Sequence, residues 1–424
     1  MLEELAQKAR SAEENGRRKK KVFAVLAIDG GGLRGIVPAK VLQELEERTG
    51  KPVSELFDMV VGTSTGGLLS LGLTTPDRAN PRKPRYSARD MVELYEGIGD
   101  QIFPKPTTVQ RLRGLFRDTY DPRPFERLLR QKMGNARIKE SLTSVIVTAY
   151  DTARRGPVFM KHYKNHAENR HFPDFLTRDA IRATCSAPTY FPPAEISSLP
   201  QIAPDGRRFQ RRYELIDGGV FMTNPAAHAM IEAMRIKPED TEILLVSLGT
   251  GIIKTPFPAD DIKKWGQVGW IRSKGQTPIY EVIMDGQTDS ADMQMKALLR
   301  ERYMRLDANF EDMPPNARPA FEFDDSSKEN MQALANMGDY IIRNNDKAID
   351  RLCAVLKGEK GLDSLPPDPA VPAIDRKRAN ELIAKASRGA VLDRDAAKKD
   401  RPRTGANDDR PPKSNRRRLA PPRL

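Results

Sequence analysis

Short apolar runs alternate with amphipathic segments along the middle of the chain. Three runs, at residues 22–28, 145–149 and 243–248, are nearly continuous in apolar side chains, which is typical of strands covered on both faces of a sheet. Helical spacing of apolar positions marks the segments between such runs, at residues 37–48, 88–98, 123–132 and 225–234. The alternation predicts an α/β fold in which a mostly parallel central sheet lies between two layers of helices.

The two ends of the chain differ from this middle part. Residues 1–21 have the pattern of a short amphipathic helix and end in five consecutive basic residues. Near the other end, four prolines between residues 366 and 372 indicate a linker, and the residues beyond them are too poor in apolar side chains to fold. We therefore predict a basic N-terminal extension at 1–21, one large domain at 22–360 and a disordered, basic, Pro-rich tail at 361–424.

Two segments inside the large domain are predicted to be irregular. Residues 75–120 are rich in Pro and Arg, which is typical of loop and short helix, and a segment of this kind can form a lid over the edge of a sheet. Residues 255–278 contain Trp265 and Trp270 close to two lysines. Such aromatic residues suit a membrane interface, although an aromatic side chain packed beneath a loop is the more common arrangement.

The charge of the chain favours anionic partners. Lys and Arg outnumber Asp and Glu by 71 to 58, a formal net charge of +13, which suits a membrane surface or nucleic acid. Residues 395–424 hold ten basic and four acidic residues, so a solvated tail and an electrostatic tether to anionic lipid both remain open.

The sequence predicts a soluble cytoplasmic protein. No apolar stretch is long enough to cross a bilayer, and residues 1–21 lack the hydrophobic segment of a secretory signal. The two cysteines, Cys185 and Cys353, are too few for a disulfide framework, and neither belongs to a C-x-x-C pair. We expect both to be small packing residues.

Ser64 stands between a strand-like run and a helix-like run, with Gly62 and Gly66 on either side of it. A sharp strand-to-helix turn of this kind holds a serine hydroxyl outward, and glycines allow the chain to turn that tightly. The N-terminus of the following helix favours negative charge that develops nearby. The pattern therefore indicates that Ser64 is a nucleophile.

A second glycine-rich turn, Asp-Gly-Gly-Gly-Leu-Arg-Gly at residues 29–35, follows the first predicted strand. Its spacing matches G-x-G-x-x-G, but a dinucleotide site also needs an acidic residue at the end of the second strand, and that strand ends at the serine turn instead. Successive glycines can present several N–H groups in one concave nest, which suits an oxyanion. We therefore predict an oxyanion hole formed by Gly30, Gly31 and Gly32.

The histidines are poor candidates for the base that would activate Ser64. His162 and His166 are four residues apart in a polar stretch, without the acidic ligands of a metal site, so a solvated loop is the simpler interpretation. His228 lies on a helix that begins too soon after a turn for the imidazole to reach the edge of the sheet.

Asp217 is a better candidate for the base. It ends a strand-like run and is followed by Gly218 and Gly219, which let the backbone approach closely. A partly desolvated carboxylate can accept the proton of a serine directly if the two groups are in contact. Taken alone, Asp217 would be read as an Asp-Gly turn residue.

Taken together and in this order, the turns at residues 29–35, 62–67 and 217–219 resemble the motifs of the patatin-like phospholipase family. The stretches 183–193 and 217–226 also look like segments of that family. The resemblance covers about residues 22–356. It implies a three-layer α/β/α patatin-like fold and a phospholipase A type of lipid acyl hydrolase with no metal and no cofactor.

Residue by residue, the resemblance implies a Ser64–Asp217 dyad, an oxyanion hole from the backbone of Gly30, Gly31 and Gly32, and structural support from the remaining motif positions, which are Arg34, Gly35, Gly62, Gly66, Gly218 and Gly219. Arg34 would either fix the glycine loop or attract a lipid phosphate through bidentate contacts. The implied partner is a phospholipid membrane surface, with anionic lipid favoured, and the enzyme would act at the inner face of the membrane.

The regulation of such an enzyme is open. The chain also looks similar to the phospholipase effectors of bacterial antiphage systems, which a cyclic nucleotide activates, with a cyclic dinucleotide as the possible activator here, whereas housekeeping patatin-like esterases share the same motifs.

A protein of another class is the alternative. A membrane-binding or nucleic-acid-binding protein with a remnant hydrolase core would depend on the basic tail and would bind in a salt-sensitive way. Three ordered motifs favour the enzyme, so nucleic acid is not the expected partner. The sequence does not indicate the oligomeric state.

Overall fold

The strands of the fold are those of a mixed, mostly parallel sheet. A computed structural model describes residues 21–104, 120–202, 207–254, 256–271 and 278–365. Its strands are β1 (Lys21–Ile28), β2 (Met59–Thr63), β3 (Ser144–Asp151), β4 (Gly156–His162), β5 (Ala194–Ser197), β6 (Gln201–Ile202), β7 (Arg208–Phe209), β8 (Arg212–Asp217), β9 (Thr241–Leu248) and β10 (Tyr303–Leu306).

Eight of these strands form the central sheet in the order β10-β9-β1-β2-β3-β8-β5, with β4 also paired to β3. Strands β10, β9, β1, β2 and β3 are parallel, and β4, β8 and β5 are antiparallel to their neighbours. Ile28, the last residue of β1, is in register with Gly62 of β2 and with Leu248 of β9. The carboxyl ends of three neighbouring strands therefore lie level, which is where α/β sheets place their functional loops.

The helices of the described residues cover both faces of the sheet. They are α1 (Ile36–Thr49), α2 (Val53–Leu56), α3 (Thr65–Thr74), α4 (Ala88–Ile102), α5 (Arg123–Met133), α6 (Thr177–Thr184), α7 (Ala226–Ile236), α8 (Ala259–Ile271), α9 (Pro278–Leu299), α10 (Lys328–Asn344) and α11 (Asp346–Leu356).

The side chains of β1 show how the sheet divides two cores. Because successive residues of a strand point to opposite faces, Ala24, Leu26 and Ile28 pack in one core, with α1, α3, α4, α10 and α11. The intervening Phe23, Val25 and Ala27 pack in the other core, against α7 and α9. The prediction of an α/β fold with a mostly parallel sheet between helix layers is confirmed.

Most predicted elements fall inside the observed ones, but the prediction of an irregular segment at 255–278 is wrong for residues 259–271. Residues 259–271 form α8, which bends at Gly266, where φ is 49°. The helix carries an aromatic cluster in which Trp265 packs edge-on against Phe257 and Trp270, at ring centroid distances of 5.4 and 5.2 Å. The helical conformation is interrupted at Gly266, and Trp265 and Trp270 pack together across this break.

Several other predictions fall on residues outside the described part of the chain. These are nearly all of the N-terminal extension, the linker and tail beyond residue 365, and residues 105–119 of the predicted lid segment. The predicted domain boundaries therefore stay predictions. Within the described residues, no helix combines the length and the apolar character that crossing a membrane requires.

Candidate active site

Ser64 occupies a strained turn between β2 and α3. Its φ of 55° and ψ of −122° are unusual for a residue with a side chain, and the conformation is held by neighbours. The Ser64 N–H donates to Oγ1 of Thr184 at 2.9 Å, and its carbonyl accepts from the N–H of Leu68 at 3.0 Å. A Cβ at Gly62 would overlap the carbonyl of Gly66, and one at Gly66 would overlap that of Ile28. Only glycine at these two positions allows the turn to pack this closely.

Asp217 ends β8 directly beside this turn. Its Oδ2 accepts a 2.6 Å hydrogen bond from the Oγ of Ser64, and its Oδ1 accepts one of 2.7 Å from the N–H of Gly219. The carboxylate is only 2% exposed. Burial raises the pKa of Asp217 to about 7, although the hydrogen bonds from Ser64 and Gly219 act to lower it. A carboxylate with this pKa can exchange a proton near neutral pH.

Gly218 explains how Asp217 comes so near the serine. Strand β8 pairs with β3 so that Asp217 lies opposite Ala149, and a Cβ at Gly218 would overlap the hydroxyl of Thr148. The glycine therefore lets the end of β8 lie against β3, which places the carboxylate over the end of β2.

The three glycines after β1 are not equivalent. The N–H of Gly30 donates to the carbonyl of Thr223 at 3.0 Å, so this group is already occupied. Within the described residues, no hydrogen bond is formed by the N–H groups of Gly31 and Gly32. Gly32 has a φ of +58°, which favours glycine, and a Cβ at Gly31 would overlap the Thr250 hydroxyl. The predicted three-donor oxyanion hole is thus reduced to two candidate donors, because Gly30 already has a partner.

Arg34 lies beneath the glycine loop and is only 4% exposed. It donates to the carbonyl of Phe321 and stacks on the rings of Phe310 and Phe323, at 5.0 and 4.1 Å from the ring centroids. The N–H of Leu33 donates to the carbonyl of Phe323 at 2.9 Å. Of the two duties expected for Arg34, these contacts support fixing the loop rather than binding a phosphate from solvent.

A buried ion network holds the start of the loop. Arg305 on β10 donates to Asp29 and to Asp307, both at 2.7 Å, and also to the hydroxyl of Ser247 at 2.8 Å. Thr250 donates to the carbonyl of Gly30 at 2.8 Å. The glycine loop is therefore attached to β9 and β10 by polar contacts on the side away from Ser64.

An apolar cavity opens over Ser64 and Asp217. It encloses about 820 Å³ of empty space, including its mouth, and nearly all of its exposed lining is apolar. Residues from α3, α5, α9 and the loops contribute the walls, among them Leu33, Leu68, Phe125, Tyr190, Phe191 and Met284. A pocket of this composition is suited to a hydrocarbon chain next to a nucleophile.

The histidines whose side chains the structure describes lie outside this cavity. His228 stacks on Phe159, at 4.0 Å between ring centroids, and its Nε2 lies 3.6 Å from Glu232. Burial lowers the pKa of His228 and that of His162 to about 4. No histidine is among the described residues that line the cavity. Cys185 does line it, but burial raises the pKa of its thiol well above the usual value, which keeps it protonated and a poor nucleophile.

Comparison with known proteins agrees with this geometry. Residues 26–230 match the family model described as patatin-like phospholipase, a range that includes Ser64 and Asp217. This part of the chain, residues 26–230, belongs to the patatin-like phospholipase family. Family membership supports a lipid acyl hydrolase or esterase activity in general terms.

Among its relatives, patatin-like protein 2 from Oryza sativa subsp. indica is 29% identical over 371 residues, which are 80% of this chain and 88% of that protein. The protein described as probable inactive patatin-3-Kuras 1 from Solanum tuberosum is 28% identical over 348 residues, or 76% of this chain and 87% of that one. The structure of VipD from Legionella pneumophila matches 77% of this chain and 67% of its own at 12% identity, with a TM-score of 0.29. Since relatives equally similar to this patatin-like protein include one described as inactive, its activity must be argued from its own site.

Several residues of the site lie outside the motifs found in the sequence. Thr184, which holds the turn at Ser64, falls in the stretch 183–193 that resembles the family, but no local pattern marks its role. Arg305 comes from β10, and Tyr280, which lines the cavity, comes from α9, both far along the chain. No sequence signal connects them with the motifs, because only the sheet order brings β10 near β1.

No metal site is evident in this part of the patatin-like protein. Among the described residues, no cluster of three or more His, Cys, Asp or Glu side chains is arranged to hold a metal ion.

Proposed function

We propose that this protein hydrolyses the fatty acyl esters of membrane phospholipids with a catalytic dyad of Ser64 and Asp217. The observation that carries the proposal is the 2.6 Å hydrogen bond from Ser64 to a buried carboxylate, at the base of an apolar cavity. A hydrocarbon chain can occupy the cavity while its ester carbonyl rests against the serine.

In the first half of the reaction, Asp217 takes the proton of Ser64 as the Oγ attacks the carbonyl carbon of the ester. The negative charge that forms on the carbonyl oxygen is stabilised by the N–H groups of Gly31 and Gly32 and by the N-terminus of α3. When the tetrahedral intermediate collapses, the alcohol leaves with the proton held by Asp217. The acyl group is then bonded to Ser64.

In the second half, Asp217 takes a proton from a water molecule, which attacks the acyl carbonyl. The same N–H groups stabilise the second oxyanion. Collapse of this intermediate breaks the bond to Oγ, Asp217 returns its proton to Ser64, and the fatty acid leaves. The proposed cycle begins and ends with the serine hydroxyl hydrogen-bonded to Asp217.

The test is a mass-spectrometric profile of the products that the protein releases from mixed phospholipids. We expect free fatty acids and lysophospholipids with the wild-type protein and none with Ser64→Ala. Ser54→Ala is the matched control, because Ser54 is a buried serine on α2, outside the cavity. Equal product release by Ser64→Ala and the wild type would refute the dyad.

Control by a cyclic dinucleotide and a role as an antiphage effector belong to the same proposal and rest on the resemblance alone. Their test is leakage of phospholipid vesicles in the presence and absence of a panel of cyclic dinucleotides. Stimulation by one member of the panel supports an effector, whereas activity indifferent to all of them supports a housekeeping esterase. Binding of the membrane by the basic tail, at the inner face of the membrane, is tested by deleting residues 395–424.

A further inference from the structure

Helix α9 carries a group of exposed apolar side chains at its N-terminal end. Ile279, Val282 and Ile283 are 40%, 43% and 43% exposed. Residues three and four positions apart in a helix lie on the same face, so these side chains form one apolar surface, which we call the outer face of α9. Among the described residues, five of the eight large hydrophobic side chains that are exposed lie on this helix, the other two being Met293 and Leu298.

The first two turns of α9, which carry this outer face, also form a wall of the active-site cavity. Tyr280 and Met284, on the side of the helix that faces the protein, line the cavity with Ser64 and Asp217. The outer face is therefore separated from the cavity wall by about 10 Å, the diameter of a helix with its side chains.

Helix α9 is also linked by hydrogen bonds to the glycine loop that follows β1. The side chain of Gln287 accepts a hydrogen bond from the N–H of Thr223 at 3.0 Å, and the carbonyl of Thr223 accepts the N–H of Gly30. These hydrogen bonds link the helix to the glycine loop through Thr223. A surface that holds α9 against a lipid layer would hold the cavity there too.

The neighbouring helix α8 carries two partly exposed aromatic side chains. Trp265 and Trp270 are partly exposed and pack edge-on against each other. Lys263 on the same helix is 75% exposed. Tryptophan rings prefer the boundary between hydrocarbon and water, and lysines can extend to the headgroups.

We propose that the outer face of α9 (Ile279, Val282 and Ile283) docks on the surface of a phospholipid bilayer and places the active-site cavity against the lipid. The inference rests on the proposed function, because an enzyme that cleaves phospholipids must take a water-insoluble chain from the bilayer. A bilayer is favoured as the partner because the helix that presents the apolar face to solvent also lines the cavity that would receive the acyl chain. A second copy of this chain is the competing occupant.

The test measures binding to vesicles of phosphatidylethanolamine and phosphatidylglycerol by co-sedimentation, with Ser64→Ala as the background so that hydrolysis does not alter the vesicles. In this background, Ile279, Val282 and Ile283 are together replaced by Gln, which is polar and a good helix former. We expect vesicle binding to fall at least tenfold, since three apolar side chains lose their gain from leaving water. Met293→Gln is the matched control, because Met293 is 68% exposed on the same helix but lies about 15 Å further along it.

Met293→Gln is expected to bind vesicles as the background protein does. In the active protein, the triple Gln variant should lose hydrolysis of vesicle lipid in proportion to binding, while hydrolysis of a soluble nitrophenyl ester stays within twofold of wild type. Unchanged vesicle binding by the triple variant would overturn the proposal, and so would equal losses in the triple variant and Met293→Gln. A change of oligomeric state in light scattering with unchanged vesicle binding would assign the face to a second copy.

These outcomes separate the inference from the proposed function. If the wild-type protein cleaves no ester, the proposed function fails, but vesicle binding by the Ser64→Ala background still tests the docking face. If esters are cleaved and the triple variant binds vesicles normally, the docking face fails alone.

Discussion

The hydroxyl of Ser64 donates directly to Oδ2 of Asp217 at 2.6 Å, with no imidazole between them. In the proposed mechanism this one carboxylate acts both as the base that activates the serine and as the acid that protonates the leaving group. The second oxygen of Asp217 is fixed by the N–H of Gly219. The proposed mechanism therefore leaves proton transfer to a single residue, and we expect the loss of Asp217 to lower activity severely.

Asp217→Asn should lower kcat on a soluble nitrophenyl ester by about 10²- to 10⁴-fold, the usual contribution of a general base. The amide can accept the hydrogen bond of Ser64 but cannot take its proton. Steady-state kinetics with circular dichroism as a check of folding measures the effect. Asp339→Asn is the control, because this carboxylate is 43% exposed and pairs with Lys40 at the surface. Activity of Asp217→Asn near that of Asp339→Asn would exclude Asp217 as the base.

The pH dependence of catalysis should follow the pKa of Asp217. Burial raises this pKa to about 7, and only the ionised carboxylate can accept the proton of Ser64. We therefore expect kcat/KM to rise with pH through about 7 and then level off. The measurement is a pH–rate profile from about pH 5 to about pH 9 on a soluble ester. A profile that is flat across neutral pH would contradict the assignment.

The stability of the protein should respond to the same ionisation with the opposite trend. Because the pKa of Asp217 is raised on folding from 3.8 to about 7, the folded state holds a proton that the unfolded state releases between these values. The stability contributed by the neutral carboxyl is fully present below the unfolded pKa and is lost as the pH rises through about 7. Asp217→Asn removes this loss. The difference in Tm between the variant and the wild type should therefore shift in favour of the variant from about pH 5 to about pH 8. A difference in Tm that stays constant with pH would contradict the raised pKa of Asp217.

The sheet and the two central site residues could be predicted from the sequence because their signals are local. Apolar runs mark β1, β3 and β9, and Ser64 and Asp217 each stand at the end of a strand beside glycines. The partner of the Gly30 N–H could not be predicted, since the carbonyl of Thr223 reaches it only through the tertiary fold. The contact of Arg305 with Asp29 could not be predicted either, because β10 lies near β1 only through the order of the strands in the sheet and no motif marks Arg305.

The glycine loop that follows β1 should tolerate no side chain at Gly31. An added Cβ would overlap the hydroxyl of Thr250, which holds the carbonyl of Gly30, so Gly31→Ala should displace this part of the loop, which lines the cavity. We expect kcat on a soluble ester to fall by about 10²- to 10³-fold, as when an oxyanion donor is lost. Gly97→Ala is the control, because a Cβ at Gly97 meets nothing within 4 Å. That variant should keep full activity, and if Gly31→Ala does so too, the loop is not the oxyanion site.

Arg305 should support catalysis by positioning the glycine loop through its contact with Asp29. Its guanidinium balances the carboxylates of Asp29 and Asp307, all three side chains being less than a tenth exposed. Arg305→Gln leaves two buried carboxylates without a cation, which should cost about 3–5 kcal/mol in the free energy of unfolding measured with urea. Because Asp29 immediately precedes the loop, kcat should fall more than KM changes, as expected when stabilisation is lost in the transition state alone.

A purely structural role of Arg305 would lower stability without changing the kinetics of the folded protein. Arg305→Lys separates the two possibilities, since it keeps the positive charge but lacks the planar fork that reaches both carboxylates. We expect Lys to restore most of the stability and only part of kcat. Arg351→Gln, an exposed arginine on α11, is the control and should change neither quantity. Wild-type kcat in folded Arg305→Gln would remove this residue from the positioning of the loop.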